Sequence, residues 1–133
     1  MDKIEVDAIK DGKREKLTIF YITHPPTVNL RLSDGKEITS EGSTIFDAFM
    51  KIRKKLPEFI FQCKGAQLNV HPSSMSSQMS NGLAAYELQL GKPARRDDIV
   101  NIFAPAQVDE AIDPDIQVEF FKKWLSYFRK RKN

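Results

Sequence analysis

The chain has 133 residues, 41% hydrophobic and 29% charged, with 21 Lys and Arg against 18 Asp and Glu, for a net charge of +3. That size fits one domain, 1–133, and excludes a multidomain machine. No stretch approaches the roughly 18 consecutive apolar residues of a membrane span, and Met1-Asp2-Lys3-Ile4-Glu5 lacks the opening of a secretory signal, so a cytoplasmic protein with no membrane partner is expected. With Cys63 as the one cysteine, no intramolecular disulfide can form, and stability must come from apolar burial.

The first third reads as a meander. Ile4, Val6 and Ala8 alternate with Glu5 and Asp7 up to Asp11-Gly12, a strong hairpin signal, and Leu17, Ile19 and Tyr21 alternate after it. Val28, Leu30 and Leu32 form the next run, ending at Asp34-Gly35, and Ile38 has the spacing of a short return strand. Pro25-Pro26 is expected to separate the two hairpins and to forbid pairing through that point. The expectation is a three- or four-stranded antiparallel sheet with one wet face.

The period then becomes helical. Ile45, Phe46, Ala48, Phe49, Ile52 and Leu56 share a face, Lys51, Arg53, Lys54 and Lys55 occupy the rest, Thr44 with Asp47 supplies the cap, and Pro57 ends the helix. Phe59 to Phe61 and Leu68 to Val70, around Lys64-Gly65, read as a second hairpin, and Leu83 to Leu90 as a further strand. Between them, His71 to Gly82 carries five serines from Ser73 to Ser80 and reads as a long structured loop in which Met75 and Met79 plug the core. Asp97 to Phe103 reads as a short helical turn or strand. Asp113 as cap and Pro114 at the first position open a terminal helix to Lys132, with Phe120, Phe121, Trp124, Leu125 and Phe128 mostly in the core. The fold class is therefore α+β, antiparallel hairpins with two main helices packed on them.

Chemically reactive residues are scarce. His24 and His71 stand in separate loops and no metal-ligand spacing occurs, so neither a metal nor a cofactor is expected. Cys63 beside Phe59 to Phe61 reads as a small buried hydrophobe. A serine nucleophile in the 73–80 segment would need a base, and only His71 lies near in sequence. Charge layout is more informative. From Asp97 to Glu119 there are seven acids and no Lys or Arg, and from Phe120 to Asn133 six bases and no acid. The helix dipole accounts for the acids and bases at the ends of the terminal helix, but not for Asp97, Asp98, Asp109 and Glu110. These four, with Glu119, form the candidate surface for docking a basic protein. The competing surface is basic: Arg95, Arg96, Arg129, Lys130, Arg131 and Lys132 could grip RNA phosphates.

The run Asn69-Val70-His71-Pro72-Ser73-Ser74-Met75-Ser76-Ser77-Gln78-Met79-Ser80-Asn81-Gly82-Leu83-Ala84-Ala85-Tyr86, continuing into Leu90-Gly91-Lys92-Pro93-Ala94 and Asp98-Ile99-Val100-Asn101-Ile102-Phe103, resembles a family of small bacterial immunity proteins that accompany contact-dependent growth-inhibition and related polymorphic toxins. The resemblance covers about the middle third of the chain. It implies a non-enzymatic cytoplasmic binder that occludes a cognate toxin domain, often a nuclease acting on tRNA. The mildly basic net charge departs from the acidic character of many inhibitors of basic nucleases, so an acidic docking surface would have to be local.

Overall fold

The structure, a computed structural model, describes residues 1–129, with the side chain of Arg129 outside that description. It is α+β. Strands β1 (Asp2–Lys10), β2 (Lys13–Thr23), β3 (Pro26–Arg31) and β4 (Glu37–Glu41) form an antiparallel meander, and β5 (Ile60–Phe61) adds to the free edge of β1, giving the order β4-β3-β2-β1-β5. Helix α1 (Ile45–Lys55) packs on one face of this sheet. A second antiparallel sheet, β6-β7-β8, joins Val70–His71, Ala84–Glu87 and Ile99–Asn101. A short helix α2 (Ser74–Ser80) connects β6 to β7, and the long helix α3 (Pro114–Arg129) closes the described chain. No described helix is long and apolar enough to cross a membrane.

The alternation in the meander sorts its residues by face. Val6, Ala8, Leu17, Ile19, Val28 and Leu30 point inward and are buried beneath Ile45, Phe49 and Ile52 of α1. Asp11 and Gly12 turn β1 into β2 with positive φ, the conformation a two-residue hairpin turn requires. Pro25-Pro26 does not interrupt the sheet as the sequence suggests. Pairing of β2 with β3 runs up to Thr23 opposite Pro26, because His24 and Pro25 alone make the turn and the Thr23 carbonyl, which faces a residue without an N–H, accepts from Asn81 Nδ2 at 3.2 Å instead. On α1, the Thr44 hydroxyl accepts the Asp47 N–H at 3.0 Å while the Asp47 carboxylate accepts the Ser43 N–H at 2.9 Å, which fixes the helix start.

Several expectations from sequence need correction. The segments 59–61 and 68–70 do not pair with each other: β5 pairs with β1 and β6 with β7. A single 3₁₀ turn at Lys64–Ala66 separates them, and its N–H groups go to the 102–104 segment, Gly65 to Ile102 at 2.7 Å and Lys64 to Ala104 at 2.9 Å. The strand expected over 83–90 is confined to β7, after which the chain turns at Gly91, φ +82°. The serine-rich segment is helical rather than a loop. Ser73 caps it by accepting the Ser76 N–H, and the Ser80 hydroxyl donates to the Ser76 carbonyl at 2.6 Å, so the residues that disfavour a helix interior here make its ends. Consequently Met75 and Met79 do not plug the core: both face solvent, 69% and 82% exposed.

The terminal helix also differs. Asp113 caps it as expected, its carboxylate accepting the Asp115 N–H at 2.7 Å. Phe120, Phe121, Trp124, Leu125 and Phe128, however, are half-buried rather than core, Tyr127 is exposed, and Gln117 is fully buried. Phe121, Trp124 and Phe128 continue instead into a ladder over the surface: Phe121 stacks on His71 with ring centroids 3.8 Å apart, Phe121 and Trp124 lie at 6.2 Å, and Trp124 meets Phe128 edge-on at 4.8 Å. Arg53 is likewise misplaced by the sequence reading. It is not on the solvent face of α1 with Lys51, Lys54 and Lys55 but buried, 4% exposed.

Candidate functional site

The acids expected to dock a partner fall in three places. Asp97 is exposed in the 3₁₀ turn Arg96–Asp98, whereas Asp98 is half-buried and its carboxylate accepts the Arg95 N–H at 2.9 Å, closing that turn. Asp109 and Glu110 are both exposed on the extended arm that joins β8 to α3. Glu119 lies exposed on α3, 3.7 Å from Lys122. The structure brings Glu110 together with Asp113, at the mouth of one cavity, and separates both from the 97–98 turn. Of the basic alternatives, Arg95 and Arg96 are exposed on the 3₁₀ turn, and the side chain of Arg129 with Lys130, Arg131 and Lys132 lies outside the described residues.

The arm bearing Asp109 and Glu110 is held by one side chain. Gln62, buried beside β5, accepts the Val108 N–H at 3.1 Å through Oε1 and donates Nε2 to the Val108 carbonyl at 2.8 Å, while its own carbonyl takes the Ala106 N–H at 3.1 Å. Val108 is buried by this clamp, Ile112 is tied to Arg53 through its carbonyl, and Asp109 and Glu110 stand exposed between these two anchors. Neither forms an ion pair among the described residues. Asp109 accepts one weak bond from Gln107 at 3.3 Å.

The serine segment offers no activated nucleophile. The bonds recorded for the Ser73, Ser76 and Ser80 hydroxyls stay within the segment and its flank, and among the described residues none involves His71. The His71 ring is sandwiched by Phe121 and the edge of Phe46, and its Nδ1 lies 2.7 Å from the Pro72 carbonyl, so Nδ1 is the protonated nitrogen. Burial lowers its pKa, with the Pro72 bond working the other way. Cys63 is fully buried and its thiol is pushed up to about 12, chiefly by burial, with Arg53 and the Gly65 and Ala66 backbone opposing. It is the inert hydrophobe the sequence suggests.

The chemically least ordinary group was not legible as such. Arg53 Nη1 donates to Gln117 Oε1 at 2.7 Å and to the Gly65 carbonyl at 3.3 Å, and Nη2 donates to the Ile112 carbonyl at 2.8 Å. Gln117 then donates Nε2 to the Gly65 and Val70 carbonyls at 3.0 and 2.8 Å. One buried amide and one buried guanidinium thus tie α1, α3, β6 and the arm together. Burial lowers Arg53 to about 10, with Cys63 and Asp113 opposing, so it remains a cation at neutral pH. Arg53 lines a cavity of about 210 Å³ between the end of α1, β5 and the arm, walled by Leu56, Phe59, Phe61 and Ile112, with Glu110 and Asp113 at its mouth. The available signals were positional: Arg53 is four residues from Phe49, and Gln117 four before Phe121, each a polar residue on an apolar stripe.

Among the described residues, no group of three His, Cys, Asp or Glu side chains is placed to hold a metal ion. No protein-family model and no curated protein matches the chain.

Proposed function

We propose that the protein is a binding inhibitor that neutralises a cognate toxin domain, most concretely a nuclease, by occluding its active site. The observation that carries this reading is the presentation of Asp109 and Glu110: two exposed carboxylates without ion pairs among the described residues, on an arm whose backbone Gln62 clamps. Carboxylates on an arm pinned on either side of them lose mainly side-chain freedom when they meet a basic groove, so they add association rate and selectivity at a reduced ordering cost. Glu119 extends the acidic character onto α3, one turn from the exposed Ile116, which supplies apolar contact area. The likeness of 69–103 to immunity proteins points the same way, and its serine and methionine motif corresponds to α2, whose two methionines are exposed.

The test is affinity capture of the tagged chain from its native host at moderate salt, followed by expression of the captured protein with and without the chain. The expected result is one stoichiometric protein, free of nucleic acid, that is toxic alone and harmless when co-expressed. Capture of RNA without a protein, with affinity falling steeply with salt, would move the function to the basic residues. A captured protein whose toxicity is unaffected would overturn the inhibitor reading.

A further inference from the structure

A guanidinium taken out of water ordinarily meets a carboxylate, because the desolvation of an isolated cation is worth several kcal/mol. Arg53 meets none in ion-pair range among the described residues. Its three hydrogen bonds go to two backbone carbonyls and an amide oxygen, which stabilise the charge without neutralising it. Five N–H groups are available on an arginine, and Nε–H together with the second Nη2 N–H makes no hydrogen bond among the described residues. Arg53 also lines the 210 Å³ cavity, whose wall sets the apolar Leu56, Phe59, Phe61, Ala66 and Ile112 beside the charged Lys54, Glu110 and Asp113.

We propose that this cavity binds a small monocarboxylate with an apolar body, the carboxylate pairing with Arg53 and the body lying against Leu56, Phe59 and Phe61. The volume exceeds that of a roughly 150 Å³ cavity that takes up benzene, so there is room for an apolar body of about one aromatic ring. Glu110 and Asp113 at the mouth set the charge limit. They oppose every anion, but a phosphate or dicarboxylate more than a monoanion, and one buried cation matches one carboxylate. Lys54 also lines the cavity, but it is already engaged by Asp115, which leaves Arg53 as the receiving cation. This inference does not rest on the toxin-binding reading: the ligand's contacts are Arg53 and the cavity wall, and Glu110, shared by both, enters here only through its charge.

The experiment is titration of the isotope-labelled protein with phenylacetate, and in parallel with its uncharged counterpart phenylacetamide and with inorganic phosphate. The readout is the Nε–H resonance of Arg53 and the backbone amides of Phe61 and Ile112. Phenylacetate is expected to shift these saturably and to bind about tenfold or more tightly than phenylacetamide, the factor a charge-assisted hydrogen bond supplies. Because Arg53→Ala removes a structural tie, the control is Ala66→Leu, which fills the cavity from its wall and should abolish the shifts while the remaining spectrum stays folded. Equal binding of acid and amide, preference for phosphate, no saturable shift, or undiminished binding in Ala66→Leu would each overturn the proposal.

Discussion

Arg53 and Gln117, 64 residues apart in the chain, meet through an Nη1 to Oε1 hydrogen bond of 2.7 Å in which a neutral amide does the work usually given to a carboxylate. The choice follows from the surroundings. The residue at 117 must accept from a guanidinium and simultaneously donate to the carbonyls of Gly65 and Val70, and only an amide does both. Gln117→Ala, which takes from Arg53 the shortest of its three bonds and from the Val70 carbonyl its side-chain donor, is expected to destabilise by about 3 kcal/mol. Gln117→Glu supplies an opposite charge but sets a carboxylate oxygen against two carbonyl oxygens, so it too should be less stable than the parent at pH 7. Urea unfolding measures both, and a Gln117→Glu protein more stable than the parent would refute the argument.

His71 makes stability depend on pH. Its folded pKa lies below the ordinary value of 6.5 because burial between Phe46 and Phe121 disfavours the imidazolium. Between the two pKa values the unfolded chain binds more protons than the folded one, so stability rises with pH there. Above 6.5 the contribution is flat. As pH falls below 6.5 stability is lost, until the folded pKa is passed. The difference in unfolding free energy between the parent and His71→Phe, followed from pH 7.5 to 5, should shrink in that window; a pH-independent difference would show that the ring is not desolvated.

Met75 and Met79 occupy a helix of which no residue is buried. Replacing both by Lys is therefore expected to change stability by no more than about 0.5 kcal/mol each. A cooperative loss of several kcal/mol in urea would mean that they pack in the core after all.

Cys63 has no exposed surface and a thiol raised to about 12. At pH 8 a thiol reagent should label it only as fast as the protein opens, and completely in denaturant. Stoichiometric labelling of the native protein within seconds would contradict the burial.

Much of the fold was legible because its signals are local. Alternation in β1 to β4, Asp11-Gly12, the Thr44 cap and the Asp113-Pro114 start each depend on a few neighbouring residues. What was not legible depends on distant partners. The two-residue strands β5 and β6 look alike as short apolar runs, and the carbonyls of Ile102 and Ala104 help send them to different sheets. The helicity of α2 comes from Ser73 and Ser80 bonding its backbone, against the propensity of its interior. At the candidate site, the exposure of Asp109 and Glu110 followed from charge, but the clamp by Gln62, and the burial of Arg53 and Gln117, rest mainly on contacts 46 to 64 residues away in sequence, with the Arg53 bond to Gly65 spanning 12.

The central claim, that Asp109 and Glu110 dock the toxin domain, is tested most directly by measuring the affinity of the captured partner for the Asp109→Lys, Glu110→Lys double variant beside Asp97→Lys. The account predicts a loss of about a hundredfold or more for the double variant, as expected when two attractive contacts become repulsive, with unchanged folding and near-parental affinity for Asp97→Lys. Parental affinity in the double variant would contradict it.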